Sequence, residues 1–252
     1  MTLFQLMGLL STFALALPII YLILTRLAWY KCIPALLIYS VLIFAYNLTS
    51  LGYIPVPASF VQDQSLTNNL FDTPLMLCFM IYFSQTAAYR NSLLVILTVY
   101  LAYEVVVLLL LGFNRQSSTV IMAPGLLITL SLAFIFFYHY VKLTLVNHKA
   151  LGKLLMVLSV LLSYVVYAFI YVVFYLLDTQ FVDDTRLIYF AVTFFSSILL
   201  CIGIMIERKR VRHLAELNKT REELKALYGQ EGKKTTTPFE AVVFKFEPGK
   251  TY

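Results

Sequence analysis

Charge, histidine and cysteine are scarce in this chain. Of its 252 residues only 13% are Asp, Glu, Lys or Arg, with three histidines and three cysteines. So little charge beside 61% hydrophobic residues, at a mean hydropathy of +0.84, excludes an ordinary soluble domain. Cys32, Cys78 and Cys201 fall within or beside apolar runs, where a disulfide framework does not form, and read as small apolar packers. His139, His148 and His213 make no metal-ligand spacing with Cys, Asp or Glu, which argues against a zinc site or a His-based hydrolase. A Gly-rich phosphate loop, a Ser nucleophile elbow and an internal repeat are all missing. Neither an enzyme, nor a metal centre, nor a nucleic-acid partner is expected. One further absence matters later: no lysine lies between Lys153 and Lys209.

What the chain has instead is long apolar runs, at residues 3 to 25, 31 to 52, 68 to 88, 92 to 112, 119 to 143, 152 to 177 and 187 to 206. About 20 apolar residues cross a hydrocarbon core of about 30 Å. The runs are too long and continuous for barrel strands, and their backbone groups must be satisfied within the bilayer. The expected fold is an all-α membrane protein, a bundle of seven transmembrane helices over residues 1 to 206. Arg26, Lys31, Arg90, Lys149, Lys153, Arg208, Lys209, Arg210 and Arg212 fall on one side. Opposite them are only Arg115 and Arg186, with Asp63, Asp178, Asp183 and Asp184. The N terminus is therefore expected outside and the C terminus in the cytoplasm. The first run lacks a basic leader and reads as a retained helix.

Helical spacing gathers the polar residues of these runs into stripes. The second run offers Tyr39, Tyr46 and Asn47, the third Asn68 and Asp72, and the fourth Tyr100, Tyr103 and Glu104. The sixth offers Tyr164, Tyr167, Tyr171 and Tyr175, and the seventh Tyr189, Thr193, Ser196 and Ser197. Alternating helix directions bring Asn47, Asp72, Glu104, Tyr167, Tyr171, Tyr189 and Thr193 into the outer half of the bilayer, as candidates to line one outward-facing cavity. Asp72 is expected roughly 6 Å and Glu104 roughly 12 Å below the boundary. An ionisable group in hydrocarbon costs several kcal/mol and is a functional candidate by default. Hydrogen bonding of both acids to tyrosines, as interhelical glue, is the competing role. Pro74 loosens the third helix beside Asp72, with Pro18 and Pro124 placed to do the same elsewhere.

These residues resemble the microbial rhodopsins, particularly their sodium-pumping branch. Asn68-Asn69-Leu70-Phe71-Asp72-Thr73-Pro74-Leu75-Met76 is similar to that family's Asn-Trp-Leu-x-Asp-x-Pro-x-Leu. Ser163-Tyr164-Val165-Val166-Tyr167-Ala168-Phe169-Ile170-Tyr171 is similar to its Ser-Trp-x-x-Tyr-Pro-x-x-Tyr, and Leu187 to Ser197 to the start of its seventh helix. The resemblance implies a rhodopsin-like bundle in a bacterial cytoplasmic membrane, often arranged in rings of protomers. It also implies what is missing. The retinal-bearing lysine falls on Ser197 or Ile198, the seventh-helix carboxylate on Thr193, the third sodium-pump position on Phe79, the third-helix arginine on Ser65 and the sixth-helix tryptophan on Tyr164. A Schiff base needs an amine, so covalent retinal is excluded as a cofactor.

The expectation is a light-independent receptor or adaptor, sensing a ligand, lipid or protonation change in a cavity of Asn47, Asn68, Asp72, Tyr103, Glu104, Tyr164, Tyr167, Tyr171, Tyr189, Thr193 and Ser197. A light-independent ion or proton path past Asp72 and Glu104, and non-covalent binding of a retinoid or carotenoid, are the alternatives. After the bundle, Arg208, Lys209, Arg210 and Arg212 are expected to meet anionic lipid. Residues 207 to 228 read as a cytoplasmic helix with Val211, Leu214, Leu217, Leu224 and Leu227 on one face. Residues 229 to 252 read as a flexible tail holding a strand-like segment at 239 to 246, able to join a partner's sheet edge. A cytoplasmic protein partner is expected through residues 213 to 252.

Overall fold

The computed structural model describes residues 3–25, 27, 30, 32–84, 86–147, 150–173 and 182–231. Tyr175, the end of the sixth apolar run and the segment at 239 to 246 lie outside the described residues. Seven α-helices form among the described residues: α1 (Leu3–Leu24), α2 (Ile33–Ser50), α3 (Ala58–Met80), α4 (Ala87–Leu111), α5 (Arg115–Asn147), α6 (Leu151–Tyr171) and α7 (Val182–Glu231). Six of them, all but α3, are long and apolar enough to cross a membrane. They are the helices of an integral multi-pass membrane protein. Their outward faces carry exposed apolar side chains such as Phe13, Val99, Leu109, Leu127 and Ile135, which water would penalise and lipid tails do not.

Local chemistry sets the helix ends. Pro34 stands in the first turn of α2, where its missing N–H costs nothing. Thr86 caps α4 by accepting from the Tyr89 amide at 3.3 Å. Gly112, at φ 74°, ends α4 in a conformation that side chains resist. Asn114 and Ser117 then cap α5 reciprocally, Ser117 N–H to Asn114 Oδ1 at 2.8 Å and Asn114 N–H to Ser117 Oγ at 3.2 Å.

Several helix boundaries differ from the limits of the apolar runs. Most notably, α3 begins at Ala58 rather than residue 68, because Ser59, Gln62, Asp63, Gln64 and Ser65 are polar yet free of helix breakers. Hydropathy marks where lipid begins, not where a helix does. The α3 helix closes at Phe83 through a 3-10 turn, short of residue 88. At the other end of the chain, the α7 helix passes without a break from the apolar run into the charged one. Contacts nevertheless divide the chain into two compact units, residues 1–208 and 209–252.

Within the first unit, an aromatic cluster of Phe79, Tyr82, Phe83, Phe136 and Tyr140 forms the core between α3 and α5, with ring centroids 5.1 to 5.9 Å apart. Where α6 crosses α7, the two backbones approach closely at Gly152 and Gly203. A Cβ on Gly152 would lie 2.7 Å from the Glu207 amide nitrogen, and one on Gly203 would lie 2.9 Å from that of Met156. Such small-residue crossings let helix backbones touch where there is no hydrophobic drive between helices.

Candidate functional site

A cavity of about 980 Å³ opens among α1, α2, α3, α5, α6 and α7. Of the expected site residues, Asn47, Asn68, Asp72, Tyr167, Tyr171 and Tyr189 line it. The cavity has depth. Tyr171 donates to the Thr119 carbonyl of α5 at 3.2 Å, whereas Tyr164, two turns earlier on α6, donates to Oδ2 of Asp72 at 2.8 Å. Arg115, the first residue of α5, is one turn beyond Thr119. Asp72 and Arg115 are thus separated by roughly 15 Å along the helices, with the carboxylate at the deep end and the guanidinium at the exposed one.

Tyrosine rings crowd the deep end. Tyr39 stands beside the Asp72 carboxyl group, Tyr164 and Tyr167 have centroids 5.7 Å apart, and Tyr167 and Tyr189 stack at 5.9 Å with 22° between planes. Above them the wall is amide-rich. Asn69 donates to Ser118 Oγ at 3.2 Å and Asn68 to the Leu42 carbonyl at 3.3 Å. Two buried amide atoms, Asn47 Nδ2 and Asn68 Oδ1, find no partner among the described residues. Buried polar atoms are normally satisfied by protein or water, so both are under-satisfied points of the wall.

Thr193, Ser197 and Tyr164 belong to a different space, a cavity of about 40 Å³ bounded also by Ser40, Met76, Ser159 and Ser196. It holds a few waters at most, far below the ~300 Å³ at which pockets begin to bury a drug-sized molecule. Tyr39, Ile43 and Tyr167 line both spaces. The interior around Ser197 holds only this small space.

Tyr103 and Glu104 are corrections. Neither lines the cavity of Asp72. Pro124 has no N–H to give the Val120 carbonyl one turn before it, and Tyr103 supplies the missing donor at 3.0 Å. Tyr100 donates to the next carbonyl, that of Ile121, at 3.1 Å. Gly125 leaves the room this needs, since a Cβ there would fall on Tyr100 and Thr73. Glu104, buried on the same face as Tyr100, has Oε1 without a partner among the described residues. The stripe was legible, but helical spacing does not say which neighbour it faces, and that neighbour is the opened turn of α5. Asp72 and Glu104 therefore do not line one cavity.

Sequence reasoning also missed a buried cluster at the opposite end of the bundle. Glu207, read as part of the charged run, is fully buried and accepts from the Tyr82 hydroxyl. Lys153 lies over the Tyr82 ring at 4.7 Å and over Tyr140 at 5.7 Å, and Tyr140 donates to the Phe83 carbonyl at 2.8 Å. The signal was available in spacing: Phe190, Thr193, Ser197, Ile204 and Glu207 repeat on the buried face of α7. Of the basic residues beside it, Arg208 is exposed over the Tyr21 ring at 5.9 Å. In the second unit Lys209 and Arg212 are exposed and Arg210 half-buried, with Arg212 paired to Glu216 at 3.2 Å.

In comparison with known proteins, the chain matches no protein-family model, no curated protein and no solved structure.

Proposed function

We propose that the chain is a light-independent, rhodopsin-like receptor or adaptor of seven spans, its N terminus outside and C terminus in the cytoplasm of a bacterial inner membrane, which takes a small molecule into the large cavity. The observation that carries this reading is the cavity of about 980 Å³ closing on Asp72, whose carboxylate Tyr164 orients at 2.8 Å. Its volume matches the upper range of sites for small organic ligands, and its wall mixes apolar side chains with tyrosine, amide and hydroxyl groups. A guest that turns the Asn47 and Asn68 side chains satisfies the amide atoms that have no partner among the described residues.

Occupancy of a cavity that touches six helices favours whichever packing of those helices binds the guest better. The α7 helix carries Tyr189 in the cavity wall and continues into the charged segment, so it is the natural conductor. In the second unit Leu214, Leu217 and Leu224 are exposed on that segment, a stripe suited to a protein partner.

The test is thiol accessibility. In full-length protein with Cys32, Cys78 and Cys201 replaced by alanine, Asn68→Cys should react with a membrane-impermeant thiol reagent added from outside. A cysteine inert in every condition sinks the cavity reading. For the signalling half, partners pulled down from native membranes should be lost on deletion of residues 213 to 252; unchanged recovery sinks it.

A further inference from the structure

Asp72 lacks any basic partner among the described residues, and it is the single acidic residue among the described residues that line the cavity. A carboxylate removed from bulk water needs a counter-charge or several donors. Here it has the Tyr164 hydroxyl on Oδ2 and Tyr39 beside it, which leaves acceptor capacity towards the cavity. The surroundings define which cation suits the remaining sites. Hard metal ions require a shell of several oxygen ligands, and no group of three or more His, Cys, Asp or Glu able to hold a metal occurs among the described residues. What surrounds the carboxylate instead is ring surface: Tyr39, Tyr164, Tyr167 and Tyr189, the last two stacked at 5.9 Å. Aromatic faces attract a weakly hydrated organic cation through the ring quadrupole, the arrangement by which ammonium groups are caged.

We propose that the deep end of the cavity binds an organic ammonium group, with Asp72 as its counter-ion, held by the Tyr164 hydroxyl behind it, and Tyr39, Tyr167 and Tyr189 as its cage. This rests on the reading of the cavity as a ligand site and names the class of ligand. The volume exceeds that of an ammonium alone, so the group is carried on a larger body whose polar atoms meet Asn47 and Asn68. The ammonium can come from a free solute or from a lipid headgroup.

The experiment uses the same Asn68→Cys protein in discs of phosphatidylglycerol, which has no ammonium. Choline should slow labelling saturably. Its uncharged isostere, with tert-butyl in place of trimethylammonium, and sodium chloride of equal ionic strength should not. Asp72→Asn should abolish protection and Asp72→Glu retain it, while Tyr167→Leu should weaken it roughly three- to thirtyfold. Glu104→Gln, outside the cavity, should leave it unchanged and controls for folding. Protection already present in phosphatidylethanolamine discs identifies a lipid headgroup as the source, whereas protection by added choline alone identifies a solute. Equal protection by the isostere, or by sodium, overturns the proposal. Labelling that choline never slows overturns it too but leaves the cavity standing; absence of labelling under all conditions removes the cavity reading itself.

Discussion

The hydroxyl of Tyr103 on α4 is bonded to the Val120 carbonyl that Pro124 leaves without an amide partner on α5. A helix weakened by proline is thus repaired from its neighbour. Tyr103→Phe should cost about 0.6 kcal/mol, the mean for hydrogen bonds between membrane helices. In a Pro124→Ala background, where residue 124 regains its N–H, the same change should cost nothing. A double-mutant cycle read by thermal unfolding in detergent checks the coupling; additive effects would refute the repair.

The crossing of α6 and α7 should tolerate no added methyl. At Gly152 the new Cβ meets backbone, not a movable side chain, so Gly152→Ala should destabilise by about 1–3 kcal/mol. Gly8→Ala is the internal comparison. Its Cβ meets only the tip of Leu51, at 3.0 Å, and should cost far less in the same melt.

Glu207 should behave as a buried acceptor. Glu207→Ala leaves the Tyr82 hydroxyl without this partner and should lower stability by about 1–3 kcal/mol. Glu207→Gln, which keeps an acceptor, should lower it less. If both substitutions prove as mild as a surface change, the burial of Glu207 is wrong.

Installing an amine at Ser197 should not create a pigment. The space there is about 40 Å³, too small for a lysine stem together with a polyene. Ser197→Lys protein incubated with all-trans-retinal should show no visible band after washing. A retained band would mean that this small space opens at little cost.

The proposed seven crossings would put the two termini on opposite sides. A C-terminal green fluorescent protein should therefore fluoresce in the cytoplasm while an N-terminal epitope is reached by antibody on intact cells. Both tags on one side would leave six crossings, with α3 the helix that fails, since among the seven it alone is not apolar enough to qualify as a span.

Much of the architecture was legible in the sequence because lipid imposes one rule on every span, and the runs that became α1, α2 and α4 to α7 obey it. The start of α3 was not, because residues 58 to 67 form a helix without being apolar. For the site, Asp72, Asn68 and Asn47 were singled out as polar residues inside apolar runs, and the cavity brings them together. Thr193 and Ser197 share their helix face with Tyr189 but open onto the smaller space, a distinction of one or two turns that only packed rings can decide. Glu207 was hidden by its neighbours in sequence: flanked by Arg208, Lys209 and Arg210, it looks solvated, whereas its phase on α7 points it at α6.

The partition between the two cavities includes side chains that face both, Tyr39, Ile43 and Tyr167. The reach of the larger cavity is therefore set by residues that can change one at a time, while the glycine crossing and the mended turn that hold the helices lie elsewhere. A single exchange of Tyr167 for a small residue extends the chamber towards Ser197 without moving a backbone. On such a scaffold, ligand preference can drift faster than fold, and a bundle of this kind can keep its shape while what it recognises turns over.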